Sequence, residues 1–302
     1  MLDLSAAVLI WGLSFALAKK VLVNFTPFEL VAFRLTTGAI TAFILNRAFP
    51  GKKYERESER KAGSRTSLWT PAFIVGLFEF AGTYLLFTWS LSYLPSGVVG
   101  SLTLLTPAFT FICGCLFRIH SPTWRGLGAV ALSFVGASLC FPVTQIFSNL
   151  QWSGGAFLGF VLVTVSNISF ALGTVFITKW ERAGVWSQNL TVRALGSGAM
   201  VGVVVALLTP RSPLDHFTNA HSWLLPLYLG VVSTGLGFFL WNRGVQKVSA
   251  LPASLVGNFK GPLSVFWGFI LLNESFNFEF FVGLALLFIS TQIISWRPAV
   301  KS

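Results

Sequence analysis

The strongest constraint on this chain is a series of ten long apolar runs separated by short polar connections. They cover residues 4–23, 28–48, 69–90, 96–117, 124–143, 153–177, 186–208, 222–242, 251–273 and 277–296. A helix needs about 20 residues to cross the hydrocarbon core, whereas a barrel strand needs about 10 with alternating polarity. These runs are long and do not alternate. The expected fold is an all-α integral membrane protein with ten transmembrane helices. Composition agrees, because only 10% of the 302 residues are charged and 54% are hydrophobic. A soluble domain carries about 25% charge, so a soluble enzyme, a disordered chain and a disulfide scaffold are excluded. The start of the chain lacks a basic n-region and a small-residue cleavage site, and reads as a retained first span.

Net charge is +11, which in a soluble protein points to nucleic acid. Here the basic residues cluster between apolar runs. With ten spans, 15 of the 21 Lys and Arg fall on the side of the two termini and three on the other, with Arg34, Arg193 and Lys260 inside spans. Positive residues mark the cytoplasm, so both termini are expected there, in a cytoplasmic (inner) membrane, with lipid and not nucleic acid as the macromolecular partner. The polar stretch 51–68 reads as a mobile, solvated loop. Seven of the 11 Trp fall near span ends, where aromatic rings prefer the headgroup level.

An internal repeat sets the architecture. Ser14-Phe15-Ala16-Leu17 recurs as Ser169-Phe170-Ala171-Leu172, and Pro107/Pro262 and Gly128/Gly283 share that displacement of 155. Arg34 with Gly38-Ala39 is echoed by Arg193 with Gly198-Ala199. The chain divides into five-helix halves, 1–150 and 151–302. Five is odd, so the second half enters from the opposite side, giving two inverted repeats. Many carriers use that arrangement for alternating access.

With these landmarks the sequence resembles the drug/metabolite transporter superfamily, in particular its EamA-type ten-helix exporters and permeases. The resemblance spans nearly the whole chain. It rests on Trp11-Gly12 and Ser14-Phe15, Pro27 before Arg34, and Tyr93-Leu94-Pro95-Ser96-Gly97-Val98-Val99 leading to Thr106-Pro107. In the second half it rests on Val248-Ser249-Ala250, Pro262, Leu272-Asn273-Glu274 and Gly283. The acidic residue usual after the fourth span is absent, and Arg118-Ile119-His120 stands there. The resemblance implies a secondary active transporter with a cavity between the repeats, moving amino acids, related metabolites or amphipathic toxic compounds. One branch of relatives takes up S-adenosylmethionine and nucleoside-like metabolites.

A charge at the bilayer centre costs at least about 2.5–3.5 kcal/mol on insertion scales, so each needs a partner or a wet cavity. Glu79, ten residues into the third run, reads as a site for a coupling proton or a substrate amine, or as an ion-pair partner of Arg34, Arg193 or Lys260. Lys260 stands beside Gly261-Pro262 and reads as a site for a substrate carboxylate, or as the structural partner of Glu79. Arg34 lies near enough the membrane surface to snorkel, and Arg193 is its expected counterpart. These four charges sum to +2, which favours an anion or a zwitterion's carboxylate. Phe15, Tyr84, Trp89, Phe170 and Trp241 can stack on a substrate. Ser14, Ser169, Asn167, Asn242 and Asn258 can hydrogen-bond it, and all of these types also serve packing.

No H-E-x-x-H, P-loop or G-x-S-x-G motif occurs, and Cys113, Cys115 and Cys140 lack ligand spacing, so no cofactor or metal is expected. Without a nucleotide site, the energy source is expected to be a gradient, through a coupling proton or a counter-substrate. A membrane-embedded transferase built on Glu79 and Lys260 is the reading from another class, and a passive channel a third.

Overall fold

A computed structural model describes residues 1–49, 69–141, 154–183, 188–210, 220–245, 247–248 and 250–295. Ten helices follow in order: α1 (Leu2–Val21), α2 (Pro27–Ala48), α3 (Trp69–Ser90), α4 (Ser96–Leu116) and α5 (Trp124–Cys140) in the first half. The second half holds α6 (Gly154–Arg182), α7 (Gln188–Leu208), α8 (Leu224–Val245), α9 (Ala250–Gly257 continued by Lys260–Leu272) and α10 (Phe278–Ser295). Among the described residues there is no strand. Nine helices are long and apolar enough to cross a membrane, and the 17-residue α5 is the shorter tenth. The segment 51–68, the 150/151 boundary, Trp152, Trp186 and Trp296 lie outside the described residues.

Helix ends follow local chemistry. α2 opens with a capping box in which the Thr26 side chain accepts from the Glu29 amide and Glu29 returns to the Thr26 amide, with Pro27 in the first turn. Glu29 therefore has a specific structural partner in Thr26. α5 stops three residues short of its expected end at 143. Phe141 precedes Pro142, whose ring bars the helical conformation, and Phe141 is extended at φ −133°. α6 runs five residues past its expected end at 177, because nothing in Thr178–Arg182 breaks a helix.

Besides the break in α9, three spans are not regular α-helix. α3 contains a π-helical stretch at Gly76–Gly82 and α8 another at Tyr228–Leu236. α4 tightens to 3₁₀ geometry at Thr103–Leu105, just before Thr106-Pro107. Such irregular backbone survives in a membrane only where other groups satisfy it, and here side chains of the opposite half do so. The Ser169 hydroxyl on α6 donates to the Phe78 carbonyl (2.8 Å), and Ser166 donates to that of Thr83 (3.1 Å). The Trp11 indole on α1 donates to the Ser233 carbonyl (2.9 Å). Asn167 donates to the Leu102 carbonyl (2.9 Å) and accepts from Thr106 (2.8 Å).

The halves interlock reciprocally. α1 packs on α8 and α9, as α6 packs on α3 and α4; α2 packs on α8, as α7 packs on α3. The pairs α2/α7, α4/α9 and α5/α10 join equivalent helices. Arg118 and Asn273, 155 residues apart, both adopt left-handed backbone (φ 56° and 52°) after α4 and α9. Small residues permit the crossings. A Cβ on Gly76 would sit 2.5 Å from the Ala194 carbonyl oxygen, and one on Gly283 would sit 2.6 Å from that of Gly136. Gly283 thus meets Gly136, whereas a Cβ on Gly128, which shares the repeat displacement with Gly283, would face open space.

Candidate functional site

Interior charge gathers where the two halves meet. Glu79 lies in the π stretch of α3 and is buried, its carboxylate accepting from Thr174 on α6 (3.3 Å). Lys260 opens the second segment of α9, its ammonium 5.6 Å from the centre of the Phe170 ring on α6. Phe170 and Thr174 are four residues apart, hence one above the other on a single face of α6, separated by about 6 Å of rise. Lys260 and Glu79 therefore address that face at neighbouring levels. They attract each other electrostatically yet form no direct ion pair. Among the described residues the salt bridges are those of Asp3 with Lys247 (2.6 Å) and Arg243 (3.7 Å), at the bundle's rim. The alternative of a bridge from Glu79 to Arg34, Arg193 or Lys260 is not seen among them. What stands in its place is a carboxylate and an ammonium held apart.

Tyr84 follows Glu79 by five residues, across the π stretch whose wider turn aligns positions five apart. Its ring packs edge-on to Phe87 (6.0 Å), and Phe87 packs edge-on to Phe15 of α1 (5.3 Å). The centre of the Tyr84 ring also lies 4.7 Å from the guanidinium carbon of Arg34. Tyr84, Phe87 and Phe15 thus form a connected chain of rings, with Glu79 five residues before Tyr84 on the same helix and Arg34 against the Tyr84 ring.

Arg34 does not snorkel. It is 2% exposed and donates to Thr234 Oγ1 (2.9 Å) and Ser233 Oγ (3.0 Å) in the π stretch of α8. Arg193 is not its counterpart. Gly230 meets the Arg34 carbonyl and Thr37, while Gly76 meets the Ala194 carbonyl and Ser197, so Ala194 occupies Arg34's place. One residue is 100° of rotation, and that turns Arg193 to the outside, exposed and 5.7 Å over Trp69. The interior charge falls from the expected +2 to +1.

Other candidates disperse. Ser14 donates to the Trp11 carbonyl (2.7 Å) and Ser169 caps Phe78, as above. Trp241 packs on Trp11 (5.3 Å) and Trp89 on Phe28 (5.5 Å), both partly exposed. Asn258 is buried at the α9 break within 3.5 Å of Ser295. Thr174, Ser233 and Thr234 escape sequence reading because hydroxyls in apolar helices are common. The displacement of 154–155 from Glu79 to Ser233-Thr234 is the signal that finds the latter two.

Polar contacts gather at one end of the bundle. Glu274, just past α9, accepts from the Ser96 and Gly97 amides at the start of α4 (2.6 and 2.9 Å). Lys19 at the end of α1 donates to the carbonyls of Leu91 and Leu94 (2.8 Å for the latter). At the repeat-related position beside Arg118 stands Ile119, which has no carboxylate to offer the start of α9.

Ten apolar helices in reciprocally packed halves, with unpaired opposite charges between them, define a multi-pass membrane protein of the transporter kind. The EamA-like transporter family matches residues 2–141 and again 157–296, and the chain belongs to that family, one of transporters rather than enzymes. It is 24% identical over 288 residues to the uncharacterized transporter YoaV of Bacillus subtilis (strain 168), covering 95% of this chain and 93% of that one. It is 22% identical over 218 residues to the biotin transporter of Escherichia coli (strain K12), covering 72% and 71%. It is 24% identical over 224 residues to protein PecM of Dickeya dadantii (strain 3937), covering 74% and 72%. A solved crystal structure of 16% identity superposes with a TM-score of 0.64 over 97% of this chain and 94% of the other, a likeness of fold.

Proposed function

We propose that this protein is a secondary active transporter moving amino acids or related small metabolites across the cytoplasmic (inner) membrane, with both termini in the cytoplasm. The observation that carries this reading is the separated pair Glu79 and Lys260. An α-amino acid presents an ammonium and a carboxylate a few ångströms apart, and it completes both charges where no protein group does. Lys260 takes the carboxylate, Glu79 the ammonium, and Phe170 with Phe15 and Phe87 offers apolar surface to the remainder. The biotin transporter relative supports a carboxylate-bearing cargo, since biotin is an organic acid.

The halves 1–150 and 151–302 act as the moving units of alternating access. The tie from Glu274 to α4 closes the mouth away from the termini and breaks when that mouth opens. The absence of its repeat mate at Ile119 makes the two mouths unequal, favouring access from the side of the termini at rest. Glu79 also serves as the site for a coupling proton when no ammonium is bound, and a counter-substrate is the alternative driver. Lipid surrounds the outward apolar faces.

Counterflow into proteoliposomes tests this. Saturable uptake of a labelled amino acid, accelerated by unlabelled substrate inside, is expected of the carrier alone. No exchange across a broad panel of amino acids and organic acids, in either orientation, refutes it.

A further inference from the structure

Arg34 is a buried cation without a buried anion. Among the described residues the ion pairs are those of Asp3, and Glu79 accepts from Thr174 rather than from Arg34. A guanidinium stays charged in any protein environment, and an uncompensated charge in a low-dielectric interior is costly. Its surroundings are rich in donors. Nε and Nη2 are held by Thr234 and Ser233, while Nη1 has no acceptor among the described residues. The Thr234 hydroxyl spends its hydrogen on the Leu229 carbonyl (3.0 Å), whereas Ser233 accepts from Arg34 and has no acceptor for its own. The Tyr84 phenol interacts with both Arg34 and Thr234.

The fold itself does not require this charge. The repeat-related contact of α7 with α3 is made by Ala194 against Gly76, both fully or nearly fully buried, with no cation between them. If Arg34 only pinned α2 to α8, the equivalent crossing would need an equivalent pin. It has none.

We propose that Arg34, Tyr84 and Ser233 form a binding site for a monovalent anion, separate from the Lys260 position. The Nη1 donors and the Ser233 hydroxyl are the groups offered to it, beside the Tyr84 phenol, and the anion supplies the missing negative charge. Two sources share that chemistry: a free halide, or the side-chain carboxylate of an acidic amino acid whose α-groups lie at Glu79 and Lys260. The second source rests on the proposed function, and the first does not.

The test uses the full chain and four forms: unchanged, Arg34→Gln, Arg34→Lys and Tyr84→Phe. In detergent, melting is compared in sodium chloride and sodium gluconate at equal ionic strength. In proteoliposomes, counterflow of L-glutamate is compared with that of L-glutamine. A halide site raises the melting temperature of the unchanged protein in chloride. A carboxylate site makes it exchange glutamate several-fold faster than glutamine. Either response is lost in Arg34→Gln, weakened in Tyr84→Phe, and partly kept in Arg34→Lys. Neither response in the unchanged protein, or a response undiminished in Arg34→Gln, overturns the proposal. Should Arg34→Gln fail to fold, an undiminished response in Tyr84→Phe overturns it instead. If neither amino acid moves, the chloride comparison alone decides the anion site, and the transport reading is decided by the broader panel.

Discussion

The contact between Glu274 and the start of α4 is the best-defined polar link between the halves, so its removal has a calculable effect. Its carboxylate accepts two backbone hydrogen bonds, 2.6 Å from the Ser96 nitrogen and 2.9 Å from that of Gly97. Pro95, in the capping position, supplies no side-chain acceptor, so these amides depend on Glu274. A hydrogen bond to a charged group contributes about 1.5–3 kcal/mol. Glutamine keeps one acceptor oxygen and turns an NH₂ toward the second amide, so Glu274→Gln loses at least one bond and its charge. The expected cost is about 2 kcal/mol, which is ~30-fold in the local opening equilibrium. Hydrogen exchange reads this directly, because amide protection reports local opening. Ser96 and Gly97 should exchange ~30-fold faster in Glu274→Gln while amides in the α5/α10 contact stay unchanged. A second route gives the same result without touching the charge. A Cβ at Gly268 would sit 2.4 Å from Glu274 Oε2, so Gly268→Ala displaces the carboxylate and should accelerate the same two amides. Unchanged exchange at Ser96 and Gly97 in both variants would refute the reasoning.

Lys260→Met should weaken amino-acid binding tenfold or more while the protein remains folded in detergent, measured by ligand-induced melting shifts. Lost folding with unaltered affinity would instead mark Lys260 as a structural partner of Glu79. Ser169→Ala removes one donor from the Phe78 carbonyl and leaves the Thr83 hydroxyl (2.9 Å) in place, so the cost should be only about 1 kcal/mol in denaturant unfolding. Gly76→Ala forces α3 away from α7, with a backbone oxygen 2.5 Å from the new carbon, and should cost about 1–3 kcal/mol in the same assay. Asp3→Asn breaks a partly exposed bridge to Lys247 and Arg243 and should cost under about 1 kcal/mol, less still at high salt.

Much of the bundle was legible because its signals are local. A run of about 20 apolar residues is a span whatever its neighbours do, and nine of the ten expected spans meet that length in the structure. The exception, α5, turns on Pro142, a local signal that length counting overlooked. The repeat was legible in the same way, and the left-handed Arg118 and Asn273 fall at the displacement set by Ser14 and Ser169. The reciprocal packing of α1 on α8 and α6 on α3 then follows from symmetry.

The site was legible only in its inventory. Sequence alone selected Glu79, Lys260, Tyr84, Phe15 and Arg34, because charge and aromatic rings in an apolar run stand out. It could not choose between Arg193 and Ala194 as the mate of Arg34. A small insertion shifts the count by one residue, and one residue rotates a helix by 100°, enough to move a charge from interior to exterior. Nor could it show π stretches in α3 and α8, whose geometry depends on donors such as Ser169 and Trp11 arriving from the other half.

The sequence by itself therefore determined the span count and the inventory of charges within the apolar runs, both carried by hydropathy and spacing along one dimension. Tertiary structure alone decided that Glu79 and Lys260 face each other without touching, that Arg193 leaves the interior, and that Arg34 stays in it without a counter-ion. Those outcomes depend on helix rotation and on distances between segments far apart in the chain, which a linear pattern of polarity does not encode.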